Sequence, residues 1–87
     1  MKHNLQIQLR SSEGAVLRTL GLIERRGFLL DSMSLSEAAG DGRSLAVSVI
    51  SERPVELLKR QLDRLHDVLW VELKQPAAEW ANGNMRR

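Results

Sequence analysis

Apolar and polar residues alternate strictly from Asn4 to Arg10, where Leu5, Ile7 and Leu9 stand between Gln6, Gln8 and Arg10. A period of two with polar partners predicts a strand with one buried face. Ser11-Ser12-Glu13-Gly14 interrupts it, with Ser12 expected as an N-cap and Glu13 expected against the positive end of a first helical turn. From Ala15 the spacing becomes helical, with Val16, Leu20 and Ile23 on one stripe and Arg18, Gly21 and Arg25 on the opposite arc. Arg25-Arg26-Gly27 ends that helix, with cations in its last turn and a glycine for the left-handed position beyond it.

The second half repeats the theme. Phe28 to Glu37 reads as a strand with Leu29, Met33 and Leu35 on one face and Ser32, Ser34 and Ser36 on the other. Ala39-Gly40-Asp41-Gly42 is a turn, and Arg43 to Ser51 is the returning strand of a hairpin, with Leu45, Val47 and Val49 buried. Pro54 is expected as the first helical residue. Val55, Leu58, Leu62 and Leu65 then form the cleanest helical stripe, ending at His66-Asp67. A last strand, Val68 to Lys74, places Leu69, Val71 and Leu73 on one face and Val68, Trp70 and Glu72 on the other. The order is βαββαβ. Four one-sided strands and two amphipathic helices predict an α+β, ferredoxin-like fold, a four-stranded antiparallel sheet with both helices on one face. Residues 1–75 form this domain, and 76–87 are expected to be a flexible tail.

Charge changes little. Thirteen Lys and Arg face eleven Asp and Glu, a net charge of +2. The pI of about 9.7 reflects this small excess persisting where hardly any group titrates, since the chain has no Cys and no Tyr. Without Arg86, Arg87 and Glu79 of the tail, eleven bases remain against ten acids. No concentrated basic face for phosphates is visible. The βαββαβ order is shared by RNA recognition motifs, which stack bases on aromatics of the first and third strands. Those strands carry none here; Phe28, Trp70 and Trp80 are the aromatics of the chain. Nucleic acid is therefore set aside, and so is a membrane, because no apolar run is long enough to span one. With no Cys and no signal-like start, the cytoplasm is the expected compartment.

Catalytic candidates are equally sparse. His3 lies near the terminus, His66 ends a helix beside Asp67, and Glu52 and Glu56 belong to a solvated helix surface. Neither a metal-ligand set nor a phosphate-binding glycine loop appears, so no catalytic residue and no metal site is assigned. The helix-free sheet face is expected to carry Gln6, Gln8, Leu30, Ser32, Ser34, Ala46, Ser48, Ile50, Val68 and Trp70. That mixture of small, amide and scattered apolar groups suits protein contact or an ordinary exposed sheet.

Several stretches resemble the small regulatory subunit of acetolactate synthase, a family built on the ACT domain. They are Glu13-Gly14-Ala15-Val16-Leu17-Arg18, Gly21-Leu22, Arg25-Arg26-Gly27-Phe28, Asp31-Ser32-Met33 and Gln61-Leu62-Asp63-Arg64-Leu65-His66-Asp67-Val68-Leu69-Trp70-Val71. The likeness spans roughly residues 5–73 and is to the short, single-domain form. It implies a non-catalytic partner of a large subunit that uses thiamine diphosphate, a divalent metal such as Mg and FAD, in branched-chain amino-acid synthesis. No cofactor is then expected in this chain itself. It also implies a homodimer and a branched-chain amino-acid effector at the dimer interface. That effector lies between the loop Ser11, Ser12, Glu13, Gly14 and Ala15 of one copy and Leu29, Leu30 and Asp31 of the other. Valine-sensitive members commonly place Asn where this chain has Ser11 and again where it has Leu29, which implies weak valine binding here. A free-standing ACT-type amino-acid sensor acting on another partner is the alternative.

Overall fold

The computed structural model describes residues 1–37, 40 and 42–74. The tail expected at 76–87 lies outside them. Strand β1 (Lys2–Leu9) leads to helix α1 (Ala15–Arg25), strands β2 (Leu29–Glu37) and β3 (Arg43–Ile50), helix α2 (Val55–Asp63) and strand β4 (Val68–Lys74). The sheet order is β2-β3-β1-β4, antiparallel throughout. Leu5, Ile7 and Leu9 of β1 and Leu45, Val47 and Val49 of β3 share one buried cluster with Leu22 and Ile23 of α1 and Leu58 and Leu62 of α2. Both helices thus cover one face, as the ferredoxin-like reading requires.

The C-terminal end of α1 closes as its sequence suggests. Gly27 takes φ +88°, its N–H donates to the Glu24 carbonyl at 3.1 Å, and the Phe28 N–H donates to Ile23 at 3.2 Å. This is a Schellman closure, and it delivers Phe28 into the core at 1% exposure. Ser51 braces the same turn, its Oγ donating to the Gly27 carbonyl at 3.0 Å and accepting the Arg53 N–H at 3.0 Å.

Several local expectations are corrected. The N-cap of α1 is Gly14, left-handed at φ 80°, and no side chain caps the helix. Ser12 sends its hydroxyl elsewhere, and Glu13 precedes the first turn. The buried stripe of α1 is Ala15, Thr19, Leu22 and Ile23, while Val16 and Leu20 are only partly buried. Thr19 tolerates the core because its Oγ1 donates to the Ala15 carbonyl at 2.8 Å. Pro54 is the N-cap of α2 rather than its first residue. That helix stops at Asp63, so Leu65 joins the core from the following turn.

Both edge strands slip phase. In β2 the register shifts between Leu30 and Ser32, with Leu30 opposite Val49 and Met33 opposite Val47. Leu30 therefore packs on the core, while Leu29 turns away and is 62% exposed. The β1–β4 register shifts at Gln8/Leu9, which face Trp70 and Val68. Val68, Val71 and Leu73 take the core side, and Leu69 is displaced outward. Each bulge inserts one residue and reverses the alternation beyond it. Leu30 and Val68 accordingly leave the helix-free face to which alternation assigned them.

Candidate functional site: the β1–α1 loop

Leu9 pairs with Arg43, the first residue of β3, and Arg43 pairs with Glu37, the last of β2. The chain leaving β1 must climb from this end of the sheet to α1, and it does so through Ser11 to Gly14. The left-handed Gly14 makes the climb tight. Its Cα faces the guanidinium of Arg18 so closely that an added Cβ would lie 2.8 Å from Nη1. An open cleft of about 360 Å³ results, lined by Arg10 through Leu17 and by Arg43. Val16 and Leu17 belong to the first turn of α1, where backbone N–H groups lack intrahelical acceptors. Together with the two arginines they make the cleft suited to a carboxylate.

The loop is held from behind. The Asp67 carboxylate, 7% exposed, accepts from Ser12 Oγ at 2.8 Å, Arg18 Nε at 2.7 Å and Arg18 Nη2 at 3.0 Å. Arg18 Nη2 also donates to the Glu13 carbonyl at 2.7 Å. The backbone carbonyl of Asp67 accepts the Arg10 N–H at 2.8 Å, and that of His66 accepts Arg10 Nε at 2.9 Å. The Arg18 hydrogen bonds, then that of Ser12, pull the Asp67 carboxyl down to about 2.

A folded-state value below the ordinary carboxylate range means that Asp67 stabilises the fold above pH ~4 and stops doing so as pH falls through about 2. Urea midpoints of the unmodified protein and of Asp67→Asn should therefore converge as pH is lowered from 5 to 2. A gap that stays constant over that window would show that the charge of Asp67 does not matter.

The expected site residues fall into two groups. Ser11, Ser12, Glu13, Gly14 and Ala15 meet in the cleft. Leu29, Leu30 and Asp31 lie at the opposite end of the sheet, where Leu29 pairs with Ile50 and Ile50 with Lys2. There Asp31 is bound by Lys2 Nζ at 3.1 Å. Within one chain the two groups do not meet. Arg10, Arg43, Arg18 and Asp67 had no assigned role. Hairpin register could have placed Arg43 opposite Glu37, but its pairing with Leu9 comes from the contact between β1 and β3. The contacts of Ser12 and Arg18 with Asp67 span 55 and 49 positions and carried no local signal.

A second, shallower groove of about 470 Å³ crosses the helix-free face between Gln6, Ser32, Ser34, Ala46 and Lys74. Among the described residues no group of three or more His, Cys, Asp or Glu could hold a metal ion. No helix there is long and apolar enough to cross a membrane.

Residues 11–71 match the ACT domain family model. The chain is 34% identical over 77 residues to the acetolactate synthase isozyme 2 small subunit of Escherichia coli (strain K12), covering 86% of this chain and 87% of that one. A probable acetolactate synthase small subunit of Methanothermobacter thermautotrophicus is 31% identical over 78 residues, and the match covers 46% of that longer protein. The crystal structure of the small subunit from Thermotoga maritima superposes with a TM-score of 0.78 at 22% identity, covering 87% of this chain and 48% of that one. With a βαββαβ fold, a glycine-led loop at the start of α1 and near full-length similarity to a short relative, the chain belongs to the ACT-domain small subunits of acetolactate synthase.

Proposed function

We propose that this protein is the non-catalytic regulatory subunit of an acetolactate synthase, which binds the catalytic subunit and raises its activity in branched-chain amino-acid synthesis. The near full-length similarity to an isozyme 2 small subunit carries this reading. Thiamine diphosphate, Mg and FAD then belong to the catalytic subunit, and the cytoplasm is where the pair works. The test is reconstitution: acetolactate formation by the cognate large subunit, with and without this chain. The small subunit alone should form no acetolactate, and adding it should raise turnover severalfold. Unchanged turnover at saturating small subunit would reject the regulatory reading in favour of a free-standing amino-acid sensor.

The working form is a homodimer joined along β2. Strand β2 is a sheet edge, and a two-fold axis beside it sets the start of one β2 against the end of the other. The end of β2 lies by the loop, through Glu37, Arg43 and Leu9. Such pairing brings Leu29 of one protomer to the Ser11–Ala15 loop of its partner. The opposite placement of the two groups within one chain supports an intersubunit site.

In that site the carboxylate of an amino acid is well served and its ammonium poorly so. Ser11 is short, and Leu29 offers no acceptor. Each unmet polar group costs about 1–3 kcal/mol, roughly tenfold in affinity per 1.4 kcal/mol. Calorimetry should find weak or no L-valine binding. Ser11→Asn with Leu29→Asn should strengthen it, and a micromolar dissociation constant for the unmodified protein would refute this account.

A further inference from the structure

Among the contacts that shape the β1–α1 loop, those from the turn between α2 and β4 come from outside the cleft. Asp67 does not line the cleft, yet its carboxylate takes three of the hydrogen bonds that define the loop. The donors are Ser12 and Arg18, both exposed at residue level. No side chain of the core cluster is a partner of that carboxylate in these bonds. The share of these bonds that reaches global stability is limited by the half-exposed Arg18. What the arrangement fixes is geometry. Arg18 is anchored on Asp67, holds the Glu13 carbonyl and lies under the left-handed Gly14, while Ser12 is drawn to the same carboxylate.

The geometry points to Asp67 as the positioning residue of the ligand loop: through Ser12 and Arg18 it holds residues 12–14 in the one conformation that opens the cleft at the start of α1. This rests on the proposed reading only in taking the loop as the effector site. A carboxylate is required because the two donors approach from different elements, the loop and α1, and one acceptor must serve both. Asn in its place keeps the shape but has one oxygen rather than two, and its amide NH2 would face a donor. The fixed loop also ties the effector end of the molecule to the first residue of β4, since Val68 follows Asp67 directly.

The test is amide hydrogen exchange on the full-length protein at neutral pH, with no ligand added, for the unmodified chain, Asp67→Asn, Ser12→Ala and Ser12→Thr. The Ala15 and Arg18 amides, which donate to the Ser12 and Gly14 carbonyls of the loop, should exchange about tenfold faster or more in Asp67→Asn and severalfold faster in Ser12→Ala. Those of Leu5, Ile7 and Leu62 should quicken only as far as the loss of global stability read from the urea midpoints requires, and by less than the loop amides. Ser12→Thr, which keeps the hydroxyl, should restore the original loop rates. Loop amides that quicken only in step with those of the core would make Asp67 a brace of the whole fold and overturn the proposal. Unchanged loop rates in Asp67→Asn would overturn it too. If Asp67→Asn does not fold, the Ser12 pair decides on the same criteria. Because no ligand or large subunit enters the measurement, failure of the regulatory reading in reconstitution leaves this result standing by itself.

Discussion

Replacing Met33 and Leu35 together by lysine is expected to turn the proposed dimer into a monomer at tens of micromolar while leaving the protomer folded. Both side chains lie on the core side of β2, opposite Val47 and Leu45, yet they remain 41% and 38% exposed because the strand is the edge of the sheet. A second copy paired along β2 would cover them. Completing their burial is worth about 1 kcal/mol per side chain, and four side chains meet across a two-fold axis. The dissociation constant should rise about 10²–10³-fold. Sedimentation velocity with circular dichroism reads both quantities. A dimer that survives the double substitution would place the interface elsewhere, and an unmodified chain that sediments as a monomer would remove it.

Phe28→Ala should have the largest effect on stability. Phe28 is 1% exposed and sits where the backbone leaves the Schellman closure of α1 for β2. Truncation removes a large core side chain and leaves a cavity that the turn cannot fill, because Gly27 and Ser51 hold it in place. A loss of about 3–5 kcal/mol is expected, set against a total of about 5–10 kcal/mol for a domain of this size. The thermal midpoint should fall by more than about 12 °C. A fall of only a few degrees would mean that the core closes over the gap.

The interior strands were legible from sequence because they pair with each other without a register shift and their own alternation is unbroken. Leu5, Ile7 and Leu9 of β1 and Leu45, Val47 and Val49 of β3 alternate without interruption and are all buried. The edge strands were legible in position but not in phase. One inserted residue near Asp31 and another at Leu69 exchanged the faces of the residues beside them. An aspartate within a strand run is a weak warning of irregularity, since strands disfavour it. Leu69 gives no warning at all, because Val68-Leu69-Trp70-Val71 is apolar on both phases. For the candidate site, the glycine-led loop was readable through its likeness to a family. Its support was not. Ser12 was expected to cap its own helix, and the turn between α2 and β4, distant in sequence but adjacent in space, outcompetes that local bond.

Strand β1 is made first but lies inside the sheet, between β3 and β4, which appear at residues 43–74. At a synthesis rate of about 5–20 residues per second, roughly 3–13 s separate the completion of β1 from the addition of Lys74. Until Ile50 completes β3, Leu5, Ile7 and Leu9 have no neighbouring strand, and until β4 follows they have one on one side only. The nascent polypeptide thus passes through a sticky stage, with β1 unpaired on one side or both, that the finished domain never revisits. Slow translation through α2 and β4 lengthens that stage and raises the demand on chaperones at the ribosome exit.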